Sequence, residues 1–365
     1  MKILVCGGAG FIGSHFIRTI LAKYQDYSII NYDKLTYAGS LENLRDIENN
    51  PRYTFVQGDI CDLPKLESVA AGVGAIVNFA AESHVDRSIQ SPEIFLNTNI
   101  LGPHTVASVV MKHKIPRYVQ ISTDEVYGSI EQGRFREDHP CAPNNPYAAA
   151  KAAGDLLLRS YHQVYRLPVI RTHTCNNYGP YQFPEKIMPR FITDFIGGRK
   201  PPLQGTGEPV REWIYVLDNV NAIDLVLHRG REGESYNIST EFELSNRQLV
   251  DRIMREMGKS WDDVETVPDR PANDKRYAMD NFKIRTHLGW EPRISFDAGL
   301  QMTIGWYRAN TEWLKKIQTR EMEMFLAQTQ HGPYRDILST MMGSGQDPAR
   351  HGSPLGTVMG PPRIA

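Results

Sequence analysis

No block of basic residues runs through this sequence, and its charges almost cancel: 41 lysines and arginines stand against 42 aspartates and glutamates in 365 residues. That balance lacks the electrostatic footprint of a nucleic-acid or anionic-membrane binder and favours a small-molecule partner. Cysteine is scarce too. Cys6, Cys61, Cys141 and Cys175 lie far apart, with neither a C-x-x-C pair nor Cys/His ligand spacing. The sequence therefore offers no disulfide framework or zinc site, and no metal is expected. Long apolar runs are missing as well. The first, Ile3 to Val5, ends in glycine and is too short for a secretory signal, and nothing later approaches a membrane span. These absences set the expectation of a cytoplasmic protein with no membrane or nucleic-acid partner.

What is present is alternation. Apolar runs at Lys2–Cys6, Tyr27–Tyr32, Tyr53–Gln57, Ala75–Phe79, Arg117–Ser122 and Pro168–Thr172 are separated by stretches of helical spacing. This pattern predicts an α/β fold, a doubly wound parallel sheet. After Asn176 the texture changes to short pieces punctuated by proline and glycine, such as Tyr178-Gly-Pro, Pro201-Pro202 and Gly205-Thr-Gly. We expect a first domain over 1–175, to which 211–232 returns as one more strand and helix. A smaller, discontinuous α/β substrate domain is expected over 176–210 and 233–316. Residues 317–365 form a C-terminal extension of unknown role; from Met342 they are rich in Gly, Pro and Ser and poor in large apolar residues.

Gly7-Gly8-Ala9-Gly10-Phe11-Ile12-Gly13 places Gly7, Gly10 and Gly13 in the turn between the first strand and helix. A chain that reverses sharply, presses its backbone against a pyrophosphate and starts a helix close to a sheet has no room for Cβ atoms. The phosphates then meet the free N–H groups at the helix's positive end. Asp33 follows at the end of the second strand, where a carboxylate can hold adenosine ribose hydroxyls and would repel a 2′-phosphate, so the cofactor expected is NAD. Asp59 and Ile60, after another strand, resemble an adenine-edge contact; an ordinary loop acid is the alternative.

Tyr147 and Lys151 lie four apart just after Asn145-Pro146, on one face of a helix beginning near the proline. An ammonium beside a phenol favours phenolate, and from this we expect a lowered tyrosine pKa suited to taking a hydroxyl proton. Ser122-Thr123-Asp124-Glu125-Val126-Tyr127-Gly128 follows a strand, and so falls at the carboxyl edge where open α/β sheets bind ligands. Two adjacent acids there can be driven to different protonation states, one donating a proton and the other accepting; a solvated turn is the plain alternative.

Together these motifs resemble the extended short-chain dehydrogenases/reductases and, within them, the nucleotide-sugar 4,6-dehydratases, over Met1 to Lys316. The resemblance also rests on Ala80-Ala-Glu-Ser-His-Val-Asp-Arg-Ser88, Asn176-Asn-Tyr-Gly-Pro180, Phe183-Pro-Glu-Lys186 and Asp269-Arg-Pro271. Thr123-Asp124-Glu125 is its specific element, since related epimerases lack the Asp-Glu pair. The resemblance implies a Rossmann-type sheet, a homodimer and a nucleotide-diphosphate hexose substrate, dTDP-glucose first. It implies that Tyr147, supported by Lys151, takes the proton of the 4-hydroxyl as NAD removes hydride from C4, with Thr123 bonded to that oxygen. Glu125 then removes the C5 proton, protonated Asp124 gives its proton to the departing 6-hydroxyl, and hydride returns to C6.

The same resemblance places Phe11, Ile12, Lys34, Thr36, Ala80, Ala81, Ser83 and Thr98 with the glycines, Asp33, Asp59, Ile60, Tyr147 and Lys151 around the cofactor. It assigns Ser83, Thr123, Asn176, Lys186, Arg211, Asn237, Arg270 and Asn273 to the substrate; the cationic side chains suit a diphosphate. Gln204 and Asn273 depart from the family's common aromatic and His. A 4-epimerase or decarboxylase on the same fold, and a nucleotide sensor without chemistry, are the rival readings. The intact set Asp124, Glu125, Tyr147 and Lys151 speaks against each.

Overall fold

Alternate residues of the first strand feed two different cores, which is what a sheet covered by helices on both faces requires. Ile3 and Val5 join a cluster with Phe16, Ile17, Ile223 and Val226, whereas Leu4 and Cys6 join Leu66, Val106, Val110 and Leu158. The computed structural model describes residues 1–269 and 273–330. Met1–Ile317 form one compact unit, and a second unit begins at Gln318. The segment from Met342 lies outside the described residues, as does Arg270.

The first half of the chain alternates as β1 (Lys2–Cys6), α1 (Phe11–Lys23), β2 (Ser28–Asp33), β3 (Tyr53–Gln57), α2 (Leu63–Ala70) and β4 (Ala75–Asn78). Then come α3 (Val85–Gln90), α4 (Pro92–Leu96), a π-helical turn at Asn97–Leu101, α5 (Gly102–His113), β5 (Tyr118–Thr123), a 3-10 turn at Asp124–Tyr127, α6 (Pro146–Tyr165) and β6 (Val169–Thr174). The rest comprises β7 (Asn176–Tyr178), α7 (Ile187–Ile196), β8 (Pro202–Gln204), β9 (Val210–Tyr215), α8 (Val216–Arg229), β10 (Ser235–Ile238), β11 (Glu243–Ser245), α9 (Asn246–Met257) and β12 (Glu265–Val267). Three helices follow: α10 (Phe282–Leu288), α11 (Phe296–Ala309) and α12 (Thr311–Gln330).

Seven strands form one sheet in the order β10-β6-β5-β4-β1-β2-β3, every pairing parallel. The chain builds outward from β1 through β2 to β3, then crosses to β4 and builds the other way. The order therefore reverses between β1 and β4, and ligands bind outside the carboxyl ends of strands at such a crevice. Two small sheets, β11-β9-β7 and β12-β8, go with a third core around Phe191, Trp213, Leu249, Leu300, Tyr307 and Trp313. Among the described residues, no helix is long and apolar enough to cross a membrane.

At the crossover the strand assignment differs from expectation. The strand at 210–215, expected to return to the large sheet, pairs with β7 and β11 in the small one. The strand near Tyr236, expected to resume the substrate domain, is the edge of the large sheet beside β6. Between them, α8 packs its apolar face on α1 and the large sheet. Short strands of similar composition carry no mark of which sheet they join; pairing partners are set by tertiary packing.

Candidate active site

The glycine turn leaves β1 at the crevice. Gly7 has φ +75°, and a Cβ there would stand 2.4 Å from Ala80 N, inside the backbone arriving from β4. A Cβ at Gly13 would lie 2.4 Å from Gly7 O, so this glycine lets α1 start hard against the turn. Gly10 is different: its Cβ would meet only Gly7 O, at 3.3 Å, so internal packing does not demand glycine there. Gly10 is also the N-cap of α1 and has no side-chain cap, which leaves the first-turn N–H groups and the positive helix end to an external anion. The cradle therefore fits a dinucleotide pyrophosphate. Phe11 and Ile12, in that first turn, are half-buried.

Asp33 ends β2 with both oxygens engaged by the turn, Oδ2 accepting from Ala9 N at 2.9 Å and Oδ1 from Leu35 N at 2.8 Å. Lys34 Nζ lies 2.7 Å from Asp59 Oδ2, Ile60 is buried, and Thr36 is half-buried just beyond. From β4, Ala80 N donates to Cys6 O and Asn78 Oδ1 at 3.1 Å; Ala81 and Ser83 follow, half-buried. Thr98 lies on the π-helical turn. The Ser83 carbonyl accepts from Tyr37 Oη, which also donates to Glu185.

The carboxyl pair sits where β5 ends. Thr123 Oγ1 caps the 3-10 turn by accepting from Glu125 N at 3.3 Å and donates to Asp124 Oδ1 at 3.1 Å. Asp124 is 3% exposed, and its Oδ2 has no hydrogen-bond partner among the described residues. Burial pushes its carboxyl well above the usual range; the charges of Glu125 and Glu212 add to this, while Thr123 and Arg211 pull the other way. This environment favours the protonated form of Asp124. Glu125 is only half-buried, with Asn145 Nδ2 at 3.2 Å and Tyr277 Oη at 3.5 Å, both on Oε2.

The helix bearing Tyr147 and Lys151 starts where the proline predicts. Asn145 Oδ1 accepts from Ala148 N at 2.9 Å as N-cap, and Pro146 opens α6. Lys151 is 5% exposed; its Nζ donates to Ile121 O at 2.6 Å. Burial holds its pKa below the ordinary lysine value, against the nearby Asp155 carboxylate. For Tyr147 the expected lowering is not found. Burial, then Glu125, with Asp124 and Asp155 adding to it, hold its phenol above the ordinary value; the hydrogen bond with Thr123 opposes this, and Lys151 is not among the leading causes. The lysine's charge is committed to the β5 carbonyl instead.

On the substrate side, Arg211 of β9 is buried, donates to Asn273 Oδ1 at 3.2 Å and lies over the Tyr277 ring at 4.1 Å. Asn176 on β7 and Lys186 at the N-cap of α7 are half-buried. Asn237 is not brought to this wall. It is fully buried in β10, where Oδ1 accepts from Tyr127 Oη and Nδ2 donates to Phe135 O, so its side chain is spent inside the core. Residues the sequence did not flag are Asn145, Asp274 and Tyr277. Asn145 is legible as a cap, but its second bond to Glu125 is not.

A doubly wound parallel sheet whose switch point gathers a glycine cradle, a Tyr-x-x-x-Lys helix and a split carboxyl pair defines an extended short-chain dehydrogenase/reductase. Within that class the chain belongs to the GDP-mannose 4,6-dehydratase family, whose model matches residues 4–303. It is 48% identical over 323 residues to dTDP-glucose 4,6-dehydratase of Streptomyces niveus, covering 87% of this chain and 96% of that one. It is 49% identical over 312 residues to the low-salt glycan biosynthesis protein Agl12 of Haloferax volcanii, covering 86% and 100%. Among solved structures, DesIV, the dTDP-glucose 4,6-dehydratase of Streptomyces venezuelae, solved with NAD bound, superposes with TM-score 0.85 at 47% identity, covering 87% of this chain and all of that one. UDP-glucose 4-epimerase of Thermotoga maritima superposes at 0.79 with 28% identity, covering 85% and 100%.

Proposed function

We propose that this protein is an NAD-dependent hydro-lyase that converts a nucleotide-activated hexose, dTDP-glucose, to its 4-keto-6-deoxy derivative. The observation that carries the reading is the split of adjacent carboxyls at the mouth of the glycine cradle: Asp124 buried, with its carboxyl pushed up by that burial, and Glu125 half-buried and hydrogen-bonded through one oxygen. A sugar-nucleotide epimerase needs no such pair. The relatives named for dTDP-glucose dehydration, at 48% and 47% identity, support the substrate.

When bound in the cradle, NAD supplies a reversible hydride acceptor for C4 and C6 of the sugar. Gly7, Gly10, Gly13 and the first turn of α1 would hold its pyrophosphate, and Asp33 would meet the ribose. Tyr147 Oη takes the proton of the 4-hydroxyl, and Thr123 Oγ1 bonds the same oxygen; Lys151, hydrogen-bonded to Ile121 O, lies one helical turn along the same face of α6. Once C4 is a ketone the C5 hydrogen is acidic and Glu125 removes it, while Asp124 gives its proton to the 6-hydroxyl, which leaves as water. Arg211, Lys186, Asn176 and Asn273, with Arg270, are assigned to the nucleotide diphosphate.

The large sheet with its helices forms the cofactor half and the two small sheets the substrate half. The protein is a cytoplasmic homodimer in this reading. Exposed Ile94, Leu96, Leu101 and Leu156, each at least half exposed, on α4, the π-helical turn and the adjoining α6, supply an apolar face. The deciding experiment incubates purified protein with TDP-, UDP-, CDP- and GDP-hexoses without added NAD and weighs the products. Loss of one water from the TDP-hexose is expected. An unchanged mass with inverted C4 would mean epimerisation, loss of carbon dioxide would mean decarboxylation, and no change with any donor would remove the enzymatic reading.

A further inference from the structure

Tyr277 stands between two carboxyl groups but has one proton to give. Its hydroxyl lies 2.6 Å from Asp274 Oδ2 and 3.5 Å from Glu125 Oε2, so the proton goes to Asp274. Asp274 is itself 6% exposed, and its other oxygen accepts from Asn144 Nδ2 at 2.6 Å; both donors to it are short. The segment is pinned in place, since Val210 N donates to Lys275 O at 2.8 Å and Tyr277 N donates back to Val210 O at 3.2 Å. This register lays the Tyr277 ring under the Arg211 guanidinium. Tyr277 is 3% exposed, and burial, with Glu125 and Asp274 beside it, keeps its phenol above the ordinary value against the pull of Arg211, so it remains the proton's owner.

We propose that Tyr277, oriented by Asp274, is a positioning residue for Glu125. Its hydroxyl stands against Oε2 but gives its only proton to Asp274, so the Glu125 carboxylate is bounded on that side without gaining a second donor. Asn145 supplies the one amide donor to the same oxygen, and neither contact occupies Oε1. A carboxylate that must take a proton from carbon works best when it is fixed in place yet keeps its charge. The inference rests on Glu125 being the general base.

The test uses Asp274→Asn, Tyr277→Phe and the double variant in the NAD-loaded full chain. An asparagine at 274 keeps an acceptor for Asn144 but turns an amide N–H toward Tyr277 Oη, which redirects the tyrosine proton onto Glu125. Each single variant should lower kcat about tenfold with KM within about twofold. Reduced nicotinamide absorbance should build up in the steady state, because C4 oxidation outruns removal of the C5 proton. The double variant should be no slower than the slower single one, since the two residues act as one unit. Wild-type kcat in either single variant, additive losses in the double, or a rise in KM without reduced nicotinamide would overturn the proposal. Should Asp274→Asn fail to fold, Tyr277→Phe alone decides by the same kcat, KM and absorbance readings. If the wild-type chain dehydrates no sugar, the functional reading fails; if it does and Glu125→Gln is dead while these variants are not, only this inference fails.

Discussion

Asp124 and Glu125 are consecutive in the chain but occupy different media. The first sits in the protein interior with an oxygen that has no partner among the described residues, the second at a half-open wall with an amide donor. Glu125→Gln should therefore abolish water loss and leave dinucleotide retention intact, as measured by product mass and by NAD released on denaturation. Glu212, whose charge reaches Asp124, is fully buried, and burial pushes its carboxyl up to about 7 although Ser239, the Met279 N–H and Arg134 all stabilise the ionised form. A carboxyl raised on folding contributes stability that is full below its unfolded pKa, near 4.5, and is lost as pH rises through about 7. Relative to Glu212→Gln, the wild-type protein should lose stability between pH 5 and pH 8, by up to about 3 kcal/mol. Thermal melts across that range check it; a wild-type advantage that grows with pH would contradict it.

At the scale of elements, the glycine turn separates two kinds of glycine. Gly7 and Gly13 answer to the protein's own backbone, whereas Gly10 has an ordinary φ of −78° and only the Gly7 carbonyl oxygen, at 3.3 Å, near the place of a Cβ. Gly10→Leu should fold with a melting temperature close to wild type and purify without bound dinucleotide; a variant that retains NAD would refute the cradle. This element was legible from sequence because its chemistry is local: strand, turn and helix lie within 23 residues. So was the start of α6, where Asn145-Pro146 is a cap and first-turn pair. The lowered tyrosine pKa was misjudged because i,i+4 spacing fixes a shared face but not what the lysine's ammonium reaches, and here it reaches a neighbouring strand. Asn237 was misplaced for a related reason. In a strand buried throughout, nothing in the sequence tells an amide spent on the core from one facing a ligand.

For the whole molecule, the doubly wound parallel sheet followed from alternation, while the strand order and the exchange of β9 and β10 between sheets did not. Tyr277 and Asp274 escaped notice because they approach Glu125 from about 150 residues away, through a bridge to Val210 that only tertiary packing creates. The exposed leucines and isoleucines along α4 and α6 make a prediction at this scale. Leu156→Arg, on a side chain 50% exposed, should leave the fold intact and shift the protein from dimer to monomer in light scattering. A monomeric wild type, or a variant that stays dimeric, would remove that surface as the interface.

Helix α6 carries more than one of these parts along a single rigid axis. Asn145 touches Glu125 at its first turn, Tyr147 and Lys151 follow, and Leu156 emerges on its outer side. Each further residue in a helix turns by about 100° and climbs about 1.5 Å, so the bearings of these groups are set by counting as much as by identity. A single insertion or deletion between Asn145 and Lys151 would therefore swing the lysine to another side of the helix, whatever side chains filled the stretch. Over these residues the helix constrains length as firmly as identity.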